Sequence, residues 1–229
     1  MKFVPNIITC LNLFAGCLAC VSAMQDSYLG AFIFIVLAAV FDFLDGFAAR
    51  MLKSYSEMGK ELDSLADVVS FGLAPGLLVF TFLQQTAVFV PWGSDLRFIA
   101  FLIPVFSAVR LARFNLDTRQ SVSFLGLPVP ANALFWGALI PSLQPHIPGN
   151  EFVLTLLVSG LVLLFCFLLV SEIPLCSMKF SHYRWRGNEQ RYLLILTAIV
   201  LISCFRLPGV SLTVCAYLLM SVKLKVASG

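Results

Sequence analysis

The chain has 229 residues, of which 60% are hydrophobic and only 12% charged, and it holds 22 phenylalanines. A soluble domain carries about a quarter charged residues, and a body this small has too little interior to hide so much apolar surface, so lipid must cover much of it. The net charge of +3 argues against a nucleic-acid partner. The seven cysteines are scattered through apolar stretches, and the Cys17/Cys20 pair has no second pair or nearby histidine to complete a zinc set, so buried thiols are the simplest reading.

At the N-terminus, Lys2, an apolar run and Val21-Ser22-Ala23 have the outline of a signal peptide. Pro5, Asn6, Thr9 and Asn12 interrupt that run, however, and similar spans follow it. Apolar stretches cover approximately residues 5–24, 28–49, 64–84, 96–114, 129–147, 152–172, 190–205 and 208–222. A helix needs about 20 residues to cross roughly 30 Å of hydrocarbon. The first six stretches meet or approach that length, while the last two are short and are split by Arg206 and Pro208. The expected fold is an all-α, polytopic integral-membrane helical bundle with eight transmembrane helices; six core helices plus a peripheral hairpin is the alternative. Residues 1–229 read as a single transmembrane catalytic domain, with a core over about 1–172 and a C-terminal helical pair over about 190–223.

Charge placement orients this layout. With the N-terminus in the cytoplasm, thirteen of the fifteen basic residues fall in loops or helix ends on that side, among them Arg50, Lys53, Lys60, Arg110, Arg113, Arg119, Lys179, Arg184, Arg186 and Arg191. Arg97 and Arg206 fall opposite. This is the bias of the positive-inside rule, and both helix counts return the C-terminus to the cytoplasm. Pro141, Pro145, Pro148 and Gly149 mark a short turn on the far side.

The segment from Asp42 to Asp67 carries the chemistry. Asp42 and Asp45 lie three apart near the end of one helix, and Asp63 and Asp67 lie four apart at the start of the next. Each pair shares a helical face, and a short connection brings the faces together. Four carboxylates at the edge of a low-dielectric region need compensation, which divalent cations supply. Mg²⁺ and Mn²⁺ suit carboxylate oxygen and would neutralise a diphosphate substrate. A structural network with Arg50 and an ion or proton pathway are the other readings. Gly46 and Ala49 open space beside the acidic groups, and Gly59 is expected to let the chain turn tightly before the third span; helix packing is the plainer account of each alone.

The pattern Asp42-x2-Asp45-Gly46-x2-Ala49-Arg50-x8-Gly59-x3-Asp63-x3-Asp67 resembles the signature of the CDP-alcohol phosphotransferases at all of its fixed positions. The resemblance implies that Asp42, Asp45, Asp63 and Asp67 hold Mg²⁺ or Mn²⁺, with Asp67 also the catalytic base. It implies nucleotide contacts at Gly46, Ala49, Arg50 and Asp63, and at Pro5, Thr9 and Asn12, which are similar to the family's N-terminal Pro/Thr/Asn element. Two further stretches, Val109 to Asn115 and Phe124 to Ala131, resemble those of the bacterial and archaeal membrane-bound phosphatidylserine synthases. The implied reaction moves the phosphatidyl group of CDP-diacylglycerol to L-serine and releases CMP, in a homodimer of the prokaryotic cytoplasmic membrane with the site and both termini on the cytoplasmic side.

Arg110 and Arg113 are then candidates for holding the acceptor carboxylate or a phosphate, with Asn115 accepting from the ammonium group; anchoring at the headgroup level is the alternative for both arginines. Glycerol 3-phosphate or inositol 1-phosphate remains open as acceptor. An ion-coupled transporter is the rival of a different class, but its polar groups should line a path through the bilayer midplane, and here they gather at one surface. Glu172 could pair with a basic group in the 179–191 loop, while His146 and His182 receive no catalytic role.

Overall fold

The computed structural model describes residues 3–54, 56–87, 93–116, 124–175 and 188–227. Lys2, Arg119, Cys176, Lys179, His182, Arg184 and Arg186 lie outside them. Helix α1 (Val4–Met24) opens with Pro5 in its first turn, where a missing N–H costs nothing. Helix α2 (Tyr28–Met51) ends in a reversal at Lys53, whose φ of 48° lies in the left-handed region. Ser56 then caps α3 (Glu57–Thr86), its Oγ accepting from the Gly59 N–H at 3.0 Å. This corrects two expectations. The third helix begins at Glu57, two polar turns before the apolar run, because Ser56 satisfies its first-turn donors. The tight turn belongs to Lys53, and Gly59 is an ordinary helical residue.

Helix α3 is the centre of the bundle: 67% of its most apolar stretch is buried, against 22% for α2. It changes register in the middle, with a π-helical segment over Val68–Leu73 between two α-helical parts. Pro75 offers no N–H to the Phe71 carbonyl four residues back, and the wider i→i+5 turn accommodates that loss. Gly72 and Gly76 bring this helix against Pro104 of α4 (Arg97–Leu116), where an added Cβ would lie 3.3 Å from Pro104 Cα or 2.8 Å from Pro104 Cδ.

Helix α5 (Val129–Leu143) contains Pro141 and runs into a short 3₁₀ turn, Gln144–His146, so the expected 129–147 span is regular helix over only 15 residues. Helix α6 is Glu151–Val170. Phe135 of α5 stacks on Phe165 of α6, with ring centroids 3.9 Å apart. Helices α7 (Glu189–Phe205) and α8 (Leu207–Ala227) form the C-terminal pair. Helix α8 packs on α5, where Ser211 Oγ donates to the Phe135 carbonyl at 2.9 Å, and α7 packs on α8.

Among the described residues, five helices (α1, α2, α3, α4 and α6) are long and apolar enough to cross a membrane. Their outward faces carry large apolar side chains such as Phe14, Ile33, Val105, Phe152 and Phe167. In water these would be costly; against lipid they are matched. The chain is an all-helical, polytopic membrane bundle.

One small non-helical device sets the start of α5. Phe124–Leu125 (β1) pairs antiparallel with Pro174–Leu175 (β2). Beside that bridge, Gly126 N–H donates to Ile173 O and Leu127 N–H to Leu168 O, both at 3.0 Å. The Leu168 carbonyl at the C-terminal end of α6, which lacks a helical partner, is thereby satisfied. Gly126 has φ +73°, and a Cβ there would sit 2.7 Å from Ser171 O. Gly126→Ala therefore combines a left-handed backbone with a clash and should destabilise by more than about 1 kcal/mol, measured as a lower temperature of aggregation in detergent.

Candidate active site

Three helices build the acidic centre. Asp42 comes from the last turns of α2, and Asp63 and Asp67 from the polar start of α3. Each offers a carboxylate oxygen within 4.8 Å of the others. Asp63 Oδ1 and Asp45 Oδ2 are buried without a hydrogen-bond partner. The carboxylates of a trio this close repel one another, and a hard divalent cation is the chemistry that resolves it. Asp42, Asp63 and Asp67 fit such an ion. Asp45 stands outside that set, so the four carboxylates expected to converge divide into a close trio and a neighbour.

The third helix is α1. Asn12 is fully buried, and its Nδ2 donates to Asp67 Oδ1 at 3.4 Å. Ser70 Oγ, in the π segment, donates to the Asn12 carbonyl at 3.0 Å. Gly16 permits this approach: a Cβ there would lie 2.8 Å from Ser70 Cα. The π segment thus turns Ser70 onto α1 one turn beyond Asp67, and Asp67 is held between two helices.

Beside the trio lies a cavity of about 220 Å³. Pro5 and Thr9 line it from α1, Asp45, Gly46 and Ala49 from α2, and Gly59, Lys60 and Asp63 from α3. Asp63 belongs to both the trio and the cavity and joins them. A Cβ on Gly46 would meet nothing within 4 Å, so that glycine leaves open room in the wall. Of the residues expected at the nucleotide, five line this cavity: Pro5, Thr9, Gly46, Ala49 and Asp63. Asn12 and Arg50 do not. Asn12 instead supports Asp67, and Arg50 is exposed with its Nε donating to the Gly46 carbonyl at 2.9 Å.

The acceptor candidates also separate. Arg110 is buried, only 8% exposed, with Nε and Nη2 unpartnered and its guanidinium 5.3 Å from the Phe114 ring centroid. It lies within electrostatic reach of Asp67. Buried arginines are ordinarily paired, and these free donors have the chemistry to receive an anion. Arg113 is exposed, and its Nη1 donates to Val170 O at the end of α6 at 3.3 Å. Asn115 is tied to α3: its Nδ2 donates to Ser64 Oγ at 2.8 Å and its carbonyl accepts from Lys60 Nζ at 3.2 Å. His146 is exposed, with its Nδ1 3.2 Å from Ser142 O, and Glu172 is exposed.

Asn6, from the N-terminal Pro/Thr/Asn element, also lines the cavity, as do Ser54 and Ser56; Lys60, Ser64, Ser70, Ser54 and Ser56 were not among the expected site residues. For Lys60 and Ser64 a signal existed. Lys60 lies three residues before Asp63 and four before Ser64, on one helical face. Ser70 carried none, because its orientation depends on the π turn.

Comparison with known proteins agrees with this architecture. Residues 2–178 match the family model described as CDP-alcohol phosphatidyltransferase. A protein of Helicobacter pylori (strain J99) named CDP-diacylglycerol–serine O-phosphatidyltransferase is 32% identical over 94% of this chain and 87% of its own length. One of the same name in Bacillus subtilis is 33% identical over 82% of this chain and 96% of its own length. An archaetidylserine synthase of Methanothermobacter thermautotrophicus is 35% identical over 57% of this chain and 54% of its own length. With its acidic trio, its adjoining cavity and these matches along most of its length, the chain belongs to the CDP-alcohol phosphatidyltransferase family.

Proposed function

We propose that this protein transfers the phosphatidyl group of CDP-diacylglycerol to L-serine, giving phosphatidylserine and CMP. The observation that carries the reading is the seat of Asp67, a buried member of the acidic trio within electrostatic reach of Arg110, whose Nε and Nη2 have no hydrogen-bond partner. The names of the relatives support serine as the acceptor. Mg²⁺ or Mn²⁺ held by Asp42, Asp63 and Asp67, with Asp45 alongside, would neutralise charge on the diphosphate oxygens.

The chain's own groups do the rest. Pro5, Thr9, Gly46 and Ala49 wall in the cytidine end, and Arg110 receives the serine carboxylate. Asp67 accepts the proton of the serine hydroxyl while Asn12 holds the carboxylate in place. The serine oxygen bonds to the phosphorus that carries the diacylglycerol, and the bond from that phosphorus to the CMP oxygen breaks, its electron pair leaving with CMP. No covalent enzyme intermediate is needed. The distribution of basic residues supports a site and both termini on the cytoplasmic side of the membrane; the prokaryotic cytoplasmic membrane and a homodimer are what the family resemblance implies.

The test is CMP release by the purified protein with CDP-diacylglycerol, Mn²⁺ or Mg²⁺, and a panel of alcohols. Release with serine alone supports the proposal. Release only with glycerol 3-phosphate or inositol 1-phosphate moves the acceptor assignment, and release with none removes the reaction.

The free space at Gly46 gives a sharper check on the cavity. Gly46→Ala adds a methyl that meets no protein atom and improves helix propensity by about 0.5–1 kcal/mol. We expect equal or higher thermal stability together with a raised KM for CDP-diacylglycerol and an unchanged KM for serine. Unchanged kinetics in both substrates would remove the nucleotide from this cavity.

A further inference from the structure

Lys60 is the one basic side chain among the described residues that line the cavity, whose wall also holds the carboxylates of Asp45 and Asp63. An anionic ligand entering an acid-lined space needs a cation there, and Lys60 is placed to be that cation. Its ammonium has three N–H donors. The structure shows one of them on the Asn115 carbonyl, at 3.2 Å. The arrangement is fixed from both sides. Asn115 Nδ2 donates to Ser64 Oγ at 2.8 Å, and Ser64 Oγ donates to the Lys60 carbonyl at 3.1 Å. The three bonds form a closed loop that ties the polar start of α3 to the end of α4. A flexible four-carbon stem ordinarily lets a surface ammonium wander. Here the loop anchors it at Asn115, and the donors not taken there are left for a ligand of the cavity that Lys60 lines.

We propose that Lys60 binds a phosphate of the nucleotide in this cavity, with Ser64 and Asn115 as its positioning residues. The assignment rests on the function proposed above and adds to it a phosphate-reading residue outside the acidic pattern. The competing role is structural: a lysine at a helix C-terminus also satisfies its last carbonyls, and Lys60 does this for α4.

Titration of the purified protein with CMP and with cytidine, in Mg²⁺, separates the two roles, because the ligands differ only in the phosphate. We expect Lys60→Gln to weaken CMP binding about tenfold or more and to leave cytidine binding at its wild-type value, which doubles as a check that the cavity is intact. Lys60→Arg keeps a cation and a donor to Asn115 and should retain most of the preference for CMP. Should Lys60→Gln fail to fold, Ser64→Ala takes its place: it frees the ammonium without removing it, and a reduced CMP-to-cytidine preference is expected. An unchanged preference in Lys60→Gln, or in Ser64→Ala where that variant is the one read, overturns the proposal and leaves Lys60 a helix cap. Wild-type protein that binds neither ligand overturns the parent reading instead.

Discussion

Asp67→Asn should leave a folded, membrane-embedded protein whose turnover falls by about 10²- to 10⁴-fold, the range that removal of a general base produces. The replacement is nearly isosteric, and Asn12 Nδ2 still finds an oxygen on the new amide, so the contact between α1 and α3 survives. What disappears is a carboxylate able to accept the hydroxyl proton and to share a cation with Asp42 and Asp63. The measurement is kcat for CMP release alongside the size-exclusion profile and thermal stability in detergent. A variant that keeps a tenth or more of wild-type kcat at saturating substrate and metal would remove Asp67 from catalysis. A variant that loses activity because it no longer folds is recognised by the second pair of readouts.

Arg110→Gln should raise the serine KM by roughly ten- to a hundredfold, since a hydrogen bond to a charged group contributes about 1.5–3 kcal/mol. The KM for CDP-diacylglycerol should change little, because Arg110 does not line the cavity proposed for the nucleotide. The contrast with Arg113 sharpens the test. Arg113 is exposed and donates to the last carbonyls of α6, so Arg113→Gln should alter stability by no more than about 1 kcal/mol and serine KM by less than about twofold. Sequence alone made the two arginines equivalent candidates. If Arg113→Gln proves the serine-defective variant and Arg110→Gln does not, the acceptor lies on the α6 side and Arg110 does not hold it.

The helices themselves were largely readable because lipid makes each span nearly uniform in polarity, and uniform runs are visible without knowledge of their neighbours. Boundaries were missed where polar residues begin a helix. Glu57 to Leu62 read as connection, yet Ser56 caps them and α3 starts there. Gly59 was expected to turn the chain, but Lys53 turns it. A lysine can visit the left-handed region when its surroundings favour it, and nothing local announces that choice.

The amino-acid sequence by itself determined that this is a membrane bundle and that its carboxylates sit in face-sharing pairs at the ends of adjacent helices, because hydrophobicity and i,i+3 or i,i+4 spacing are local properties. Only the tertiary structure decided which of those groups meet. It drew Asp42, Asp63 and Asp67 together and set Asp45 toward the cavity, parted Arg110 from Arg113, and brought Asn12 to Asp67 across 55 residues of chain. These outcomes depend on how closely helices approach at Gly16 and Gly72 and on the register change before Pro75. Such distances are products of packing between distant segments, and no local pattern contains them.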